Sequence, residues 1–258
     1  MTDGNVSVVE LGLTPEDMGI QEDPPYRDVQ YGRIYDKLEP HQLVNIAVLG
    51  NISLEIDEEN LGLERISMAN LQKGWEKNRE TFTKRLVEHG IDLDPFTVYK
   101  YYQIQRKAFQ VLGKPIDHAG ARNSRLRELG DKIKLSETKG HAMCSEYAIL
   151  SAYIAQKIGE PAHLLVGTVI GNDKEQWREA HAYVWVDGLN AVFDSVQAQS
   201  DTDYPALMMP TSPSPSLQTL ESGLDVECNR LGTGFTAYYG LEAGGFGTRL
   251  AHRDTIAT

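Results

Sequence analysis

Three side chains in the middle of the chain have the types and the order of a nucleophilic site: Cys144, His181 and Asp194. In such a site the Cys144 thiolate attacks an amide or ester carbonyl. His181 takes the thiol proton and later returns a proton to the leaving amine, and Asp194 fixes the imidazole tautomer. The backbone N–H of Cys144 is one donor to the oxyanion. Asn123 and Gln103 are chemically suited as a second donor, and nothing in the sequence assigns either.

The elements that must position these residues follow from periodicity. Ala148, Ile149, Ala152, Tyr153 and Ile158 recur three or four apart, which predicts a helix over 145–158 stopped by Gly159. Cys144 then falls at the helix start, where free N–H groups and the positive dipole end favour thiolate over thiol. Gly140 just upstream allows a tight turn. Ala162–Ile170 reads as a strand, 171–179 as a polar loop, Ala180–Val186 as a strand, 187–190 as a turn and Ala191–Val196 as a third strand. If Val186 pairs with Ala191, then His181, Tyr183, Trp185, Val192 and Asp194 share one face. Ala182, Val184, Val186, Ala191 and Phe193 share the other, which the helix would cover.

Gly140 and Cys144 before the apolar helix, His181-Ala182-Tyr183-Val184-Trp185-Val186 and Val192-Phe193-Asp194 resemble the transglutaminase-like branch of the papain-like cysteine enzymes. The resemblance covers about sixty of 258 residues. It implies an α+β fold: a papain-like/transglutaminase-like core with the Cys-bearing helix packed on an antiparallel sheet, and an N-terminal helical part. It implies a cysteine protease or amidase, with Cys144, His181 and Asp194 as catalytic residues and no cofactor or metal. Where that family has Gly-x-Cys, three residues separate Gly140 from Cys144 here, and Tyr183 stands where Trp often follows His-Ala.

Amide hydrolysis on a protein or peptide through a thioester, by a protease or a deamidase, is the expected function, because water is the default acyl acceptor. Transfer to an amine, as in a transglutaminase, is one alternative. An inactive member of the fold serving as an interaction module is another, with the acidic N-terminus suited to a basic protein partner. His141, Cys144, His163 and His181 offer a metal site as a further alternative, but His163 and His181 are eighteen residues apart and form no close ligand pair.

Composition bounds these readings. The 41% of hydrophobic residues suffices for a core, and no apolar run approaches the length of a membrane helix. Two cysteines and no basic-then-apolar leader suggest a cytoplasmic protein, with export independent of a cleavable signal left open. The net charge of −12 argues against general nucleic-acid binding. It is uneven: −10 over residues 1–60, +6 over 61–135 and −8 over the rest. The expected organisation is an acidic segment 1–60, a helical part 61–135, the catalytic core 136–200 and an extension 201–258. The acidic segment is expected to fold over the basic helices and restrict the site.

Along the chain, residues 1–40 read as extended chain and 40–54 as a short helix. Leu63–His89 reads as a helix, and Asp94 caps another that begins at Pro95 and ends at Leu112. A third is expected near Ser124–Ile133. Tyr99, Tyr101 and Tyr102 read as core and surface tyrosines. Beyond Val196, Ser212–Ser216 reads as a linker, and the glycine-rich stretches at 232–235 and 244–247 as turns or tail.

Overall fold

The computed structural model of the chain describes residues 33–45, 52–115, 119–171, 177–197, 204–211, 215–233 and 235–241. The expectations for 1–32, for most of the Ser212–Ser216 linker and for the glycines at 244–247 lie outside them. The fold is α+β. Six antiparallel strands close into a barrel: β5 (Ala162–Gly171), β6 (Trp177–Val186), β7 (Ala191–Phe193), β8 (Leu207–Pro210), β9 (Val226–Arg230) and β10 (Thr236–Gly240). β5 meets β10 at one end of its length and β1 (Arg33–Tyr35) at the other. A separate small sheet joins β2 (Leu43–Asn45), β3 (Ser53–Glu55) and β4 (Lys132–Lys134).

The period-two alternation of the strands separates two cores. Inward-facing Leu165, Val169, Tyr183, Trp185, Val192, Met208, Cys228 and Tyr239 fill the barrel. Outward-facing Leu164, Ala182, Val184, Val186 and Phe193 pack under α5 (Cys144–Lys157), against Ala148, Ile149 and Ala152. Val186 pairs with Ala191, Trp185 with Val192 and Val184 with Phe193, the register expected from the alternating pattern.

Before the barrel lie α1 (Glu58–Leu61), α2 (Met68–Glu88), α3 (Pro95–Leu112) and α4 (Ala119–Leu129); α6 (Leu217–Glu221) lies between β8 and β9. Asp94 caps α3 by accepting the Thr97 N–H at 2.8 Å. Tyr99 and Tyr101 are buried, and Trp75, Phe82, Phe96, Tyr99 and Tyr102 form one aromatic cluster between α2 and α3. Gly74 inside α2 has a packing reason, since a Cβ there would stand 2.8 Å from the Tyr99 hydroxyl oxygen.

Several boundaries differ from the sequence reading. The helix expected over 40–54 is absent from its described part, where β2 and β3 stand instead. Its apolar residues are too few to favour one period, and pairing with β3 and β4 decides for strand. The helix expected from Leu63 starts at Met68, because the Ser67 hydroxyl oxygen accepts the Asn70 N–H at 3.3 Å. The third helix ends at Leu129, and Lys132–Lys134 is drawn into a strand by parallel pairing with β3. β6 begins at Trp177 rather than Ala180, and β7 stops at Phe193, followed by a short 3-10 turn at Ser195–Gln197. Gly232 belongs to the turn joining β9 to β10, with φ 69°.

Candidate active site

Cys144 is the first residue of α5, and the extended Met143 is its N-cap. Gly140 makes the preceding turn with φ 80°, a conformation that favours glycine, and its N–H donates to the Leu112 carbonyl at 2.8 Å. Glu146 anchors the helix start: its Oε2 accepts the Met143 N–H at 2.9 Å. Its Oε1 accepts from Arg122 Nε at 3.1 Å and Nη2 at 2.7 Å. Both side chains are buried, so the helix end that carries Cys144 is held by an ion pair inside the protein.

His181 lies on β6 and Asp194 just after β7, on the barrel-facing side of the two paired strands. His181 Nε2 and Asp194 Oδ2 are 2.7 Å apart, with the two side chains 6% and 1% exposed. With Nε2 engaged, Nδ1 is the ring nitrogen left for the Cys144 thiol, which lines the same small cavity as His181. The structure thus brings together all three residues singled out in the sequence. It adds Tyr239 of β10, whose hydroxyl donates to Asp194 Oδ2 at 2.9 Å. Tyr183 and Tyr239 meet edge to face at 4.9 Å and flank the His181 ring.

The electrostatics run in one direction. Burial pushes the Cys144 thiol up, but the hydrogen bond and charge of His181, the Ala182 N–H and the Arg122 charge outweigh it. The thiol lies below its ordinary value. Burial pushes His181 down, and Asp194 with Cys144 carries it well above the ordinary imidazole value. Lowered thiol and raised imidazole both move in the direction that favours a thiolate–imidazolium pair. Cys228, inside the barrel, is pushed up to about 12 by burial and the nearby Glu227 charge.

Beside the sulfur is a cavity of about 10 Å³, lined by Val44, Asn45, Ile149, Leu164, Val166 and Ala182 among others. That is the room of about one water molecule. Asn45 is the polar side chain that β2 brings to this cavity, whereas Asn123 and Gln103 do not line it. The described part of the acidic segment does reach the site, through Val44 and Asn45. It does so by strand pairing and by docking on α5, where Glu58 accepts from Tyr153 and Lys157, and its Leu54 and Ile56 share a core with Ile104 and Ala108 of α3.

The four residues of the alternative metal site do not converge. His163 faces Asp36 and Asp187, each at 2.9 Å, and lies four residues along β5 from Gly167, the strand partner of His181. Among the described residues no group of three His, Cys, Asp or Glu could hold a metal ion. Nor is any described helix long and apolar enough to cross a membrane.

No model of a known protein family, no curated protein and no solved structure matches this chain.

Proposed function

We propose that the chain is a cysteine-dependent amide hydrolase, built on a transglutaminase-like variant of the papain-like plan and acting on proteins or peptides. The observation that carries the reading is the line Cys144–His181–Asp194, with the sulfur at a helix start and the imidazole held between sulfur and carboxylate. The order of helix, strand and strand in the chain supports the family reading.

In this mechanism the Cys144 thiolate attacks the carbonyl carbon, and the Cys144 N–H stabilises the oxyanion. The tetrahedral intermediate collapses as the His181 imidazolium gives its proton to the leaving amine. A thioester remains. His181, now neutral, takes a proton from water; the hydroxide releases the acid and restores the thiolate. Asp194 keeps its carboxylate against Nε2 throughout. The cavity at the sulfur has room for about one water molecule, so its lining must open to admit an acyl group.

The test is acylation. Mixed with p-nitrophenyl esters of N-acyl amino acids, the full chain should release a burst of nitrophenol and gain the acyl mass on Cys144. Cys144→Ala should do neither. An acyl adduct that only an added amine removes would instead support the transglutaminase-type reaction. Wild type that forms no adduct with any ester would support the inactive interaction module.

A further inference from the structure

The Asp194 carboxylate carries two proton donors on one oxygen. His181 Nε2 lies 2.7 Å from Oδ2, and the Tyr239 hydroxyl donates to the same Oδ2 at 2.9 Å. The histidine comes from β6 and the tyrosine from β10, 45 residues beyond Asp194. Tyr239 is fully buried and lines the barrel with Ala237, two residues earlier on the strand. Its neighbours fix its place. The Tyr183 hydroxyl donates to the Gly240 carbonyl at 3.1 Å, which pins β10 one residue beyond Tyr239. Gly167, the strand partner of His181, has no Cβ to collide with that carbonyl, so β10 comes close to β5 beside His181. A phenylalanine would fill the same space as Tyr239, so packing alone does not require the hydroxyl.

We propose that Tyr239 is a positioning residue that shares the Asp194 oxygen with His181 and so limits how tightly the imidazolium is held. The inference rests on reading Cys144 and His181 as the nucleophile and its base. Two donors on one oxygen compete, because each hydrogen draws off charge that the other would use and the two hydrogens repel. The carboxylate charge is what favours imidazolium over imidazole. A second donor that takes part of that charge loosens the histidine's hold on its proton. The mechanism needs this balance, since His181 must stay charged beside the thiolate and then give its proton to the leaving amine. A general acid does that best when its pKa lies near the working pH, and an unshared Asp194 would carry His181 further above it. Tyr239 keeps its own proton, because burial and the Asp194 carboxylate push the phenol well above its ordinary value. Cys144 from α5 and Tyr183 from β6 also face His181, and Arg122 stands near Cys144. Arg230 of β9 carries its charge near Asp194 and Tyr239, while Cys228 and Asp225 lie around Tyr183. Among the described residues, His181 and Tyr239 are the side chains hydrogen-bonded to the Asp194 carboxylate.

The experiment is the pH titration of the His181 ring by NMR in full-length, histidine-labelled wild type, Tyr239→Phe and Tyr183→Phe, with the resonance assigned by its loss in His181→Ala. Wild type should titrate above the ordinary imidazole value. Tyr239→Phe should raise the midpoint by about one pH unit, which is a roughly tenfold tighter hold on the proton. Tyr183→Phe takes a hydroxyl from Gly240 and not from Asp194, and should leave the midpoint where it is. In an Asp194→Asn background, Tyr239→Phe should no longer raise it, since the tyrosine acts through that carboxylate. A hydroxyl that merely holds the carboxylate in place has the opposite sign: its loss lets Asp194 turn away, and the midpoint falls. That result overturns the inference, as does an unshifted midpoint or an equal rise without Asp194. Should Tyr239→Phe not fold, 3-fluorotyrosine placed at 239 is a stronger donor and should lower the midpoint; an unmoved or raised midpoint there overturns the inference. Each of these leaves the nucleophile standing where Cys144 still takes up an acyl group. A wild-type His181 that titrates at the ordinary value, beside a Cys144 that takes up none, overturns both readings.

Discussion

Arg122→Met should be among the most damaging single substitutions in the helical half, because of what it leaves behind. The Glu146 side chain is 0% exposed and that of Arg122 is 4%, so water cannot replace the lost partner. Both guanidinium contacts fall on Oε1, at 2.7 and 3.1 Å, while Oε2 stays on the Met143 N–H. Removing one member of such a buried pair costs about 3–5 kcal/mol. That is a large share of the roughly 5–15 kcal/mol that holds a folded protein together. At about 2–4 °C per kcal/mol for a chain of this size, the melting temperature should fall by about 6–20 °C. Glu146→Gln keeps an acceptor for Met143 but leaves the Arg122 charge buried without its partner, and should likewise cost about 3–5 kcal/mol. The double variant Arg122→Met/Glu146→Gln buries no charge at this position. It should be more stable than Arg122→Met alone, which a sum of independent effects does not allow. Urea titration followed by circular dichroism measures all four corners of the cycle. A loss below about 1 kcal/mol in Arg122→Met, the value of an exposed pair, would refute the reasoning. So would strict additivity in the double variant.

Gly167→Ala should destabilise the barrel by about 1–3 kcal/mol or more, because its Cβ would stand 2.1 Å from the Gly240 carbonyl oxygen. Gly188→Ala, where a Cβ meets nothing within 4 Å, is the control; equal urea midpoints for the two would count against the close approach of β5 and β10. Cys228 should resist iodoacetamide at pH 8 in the folded chain, its thiol held up to about 12, and label fully in denaturant; rapid labelling without denaturant would contradict its place inside the barrel. For His163, burial pushes the ring down, and the hydrogen bonds to Asp187 and Asp36 outweigh that and raise it above 6.5. A group raised on folding adds stability that is full below its unfolded value and lost as pH climbs through the folded one. His163→Gln should therefore lower the melting temperature more at pH 5.5 than at pH 8.5, and a gap that is equal or reversed would be the contrary result.

The central hairpin was legible because its alternation is strict. From 180 to 194 one set of residues is apolar throughout (Ala182, Val184, Val186, Ala191, Phe193) and the other carries His181, Tyr183, Trp185 and Asp194, so the Val186–Ala191 register follows from pattern alone. The α5 stripe and its Gly159 stop are equally local signals. Asp94-Pro95 marked the start of α3 by the chemistry of capping. What was not legible depends on pairing across long stretches. Val226-Glu-Cys-Asn-Arg230 alternates as a strand should, yet only β8 and β10 make it part of a barrel. Tyr239 reaches Asp194 from 45 residues away, and nothing near either residue announces it. Arg122 and Glu146 are 24 apart on different helices. Glu146 stands at the third helical position, but Met143 is not among the residues that mark a helix N-cap, so no capping box showed in the sequence. Leu43–Leu49 is apolar and short, and such a run takes its conformation from its partners. That is why Asn45 was missed as a neighbour of the sulfur.

The measurement that tests the central claim most directly is the rate of Cys144 alkylation against pH, read by mass spectrometry, in wild type and in His181→Ala. A reference thiol titrates near 8.5. The thiolate–imidazolium pair requires that Cys144 label rapidly at pH 6 in wild type and that His181→Ala slow this labelling markedly, with the gap closing at high pH. Cys144 labelling like a reference thiol in both proteins would contradict the ion pair and, with it, the amide hydrolase reading.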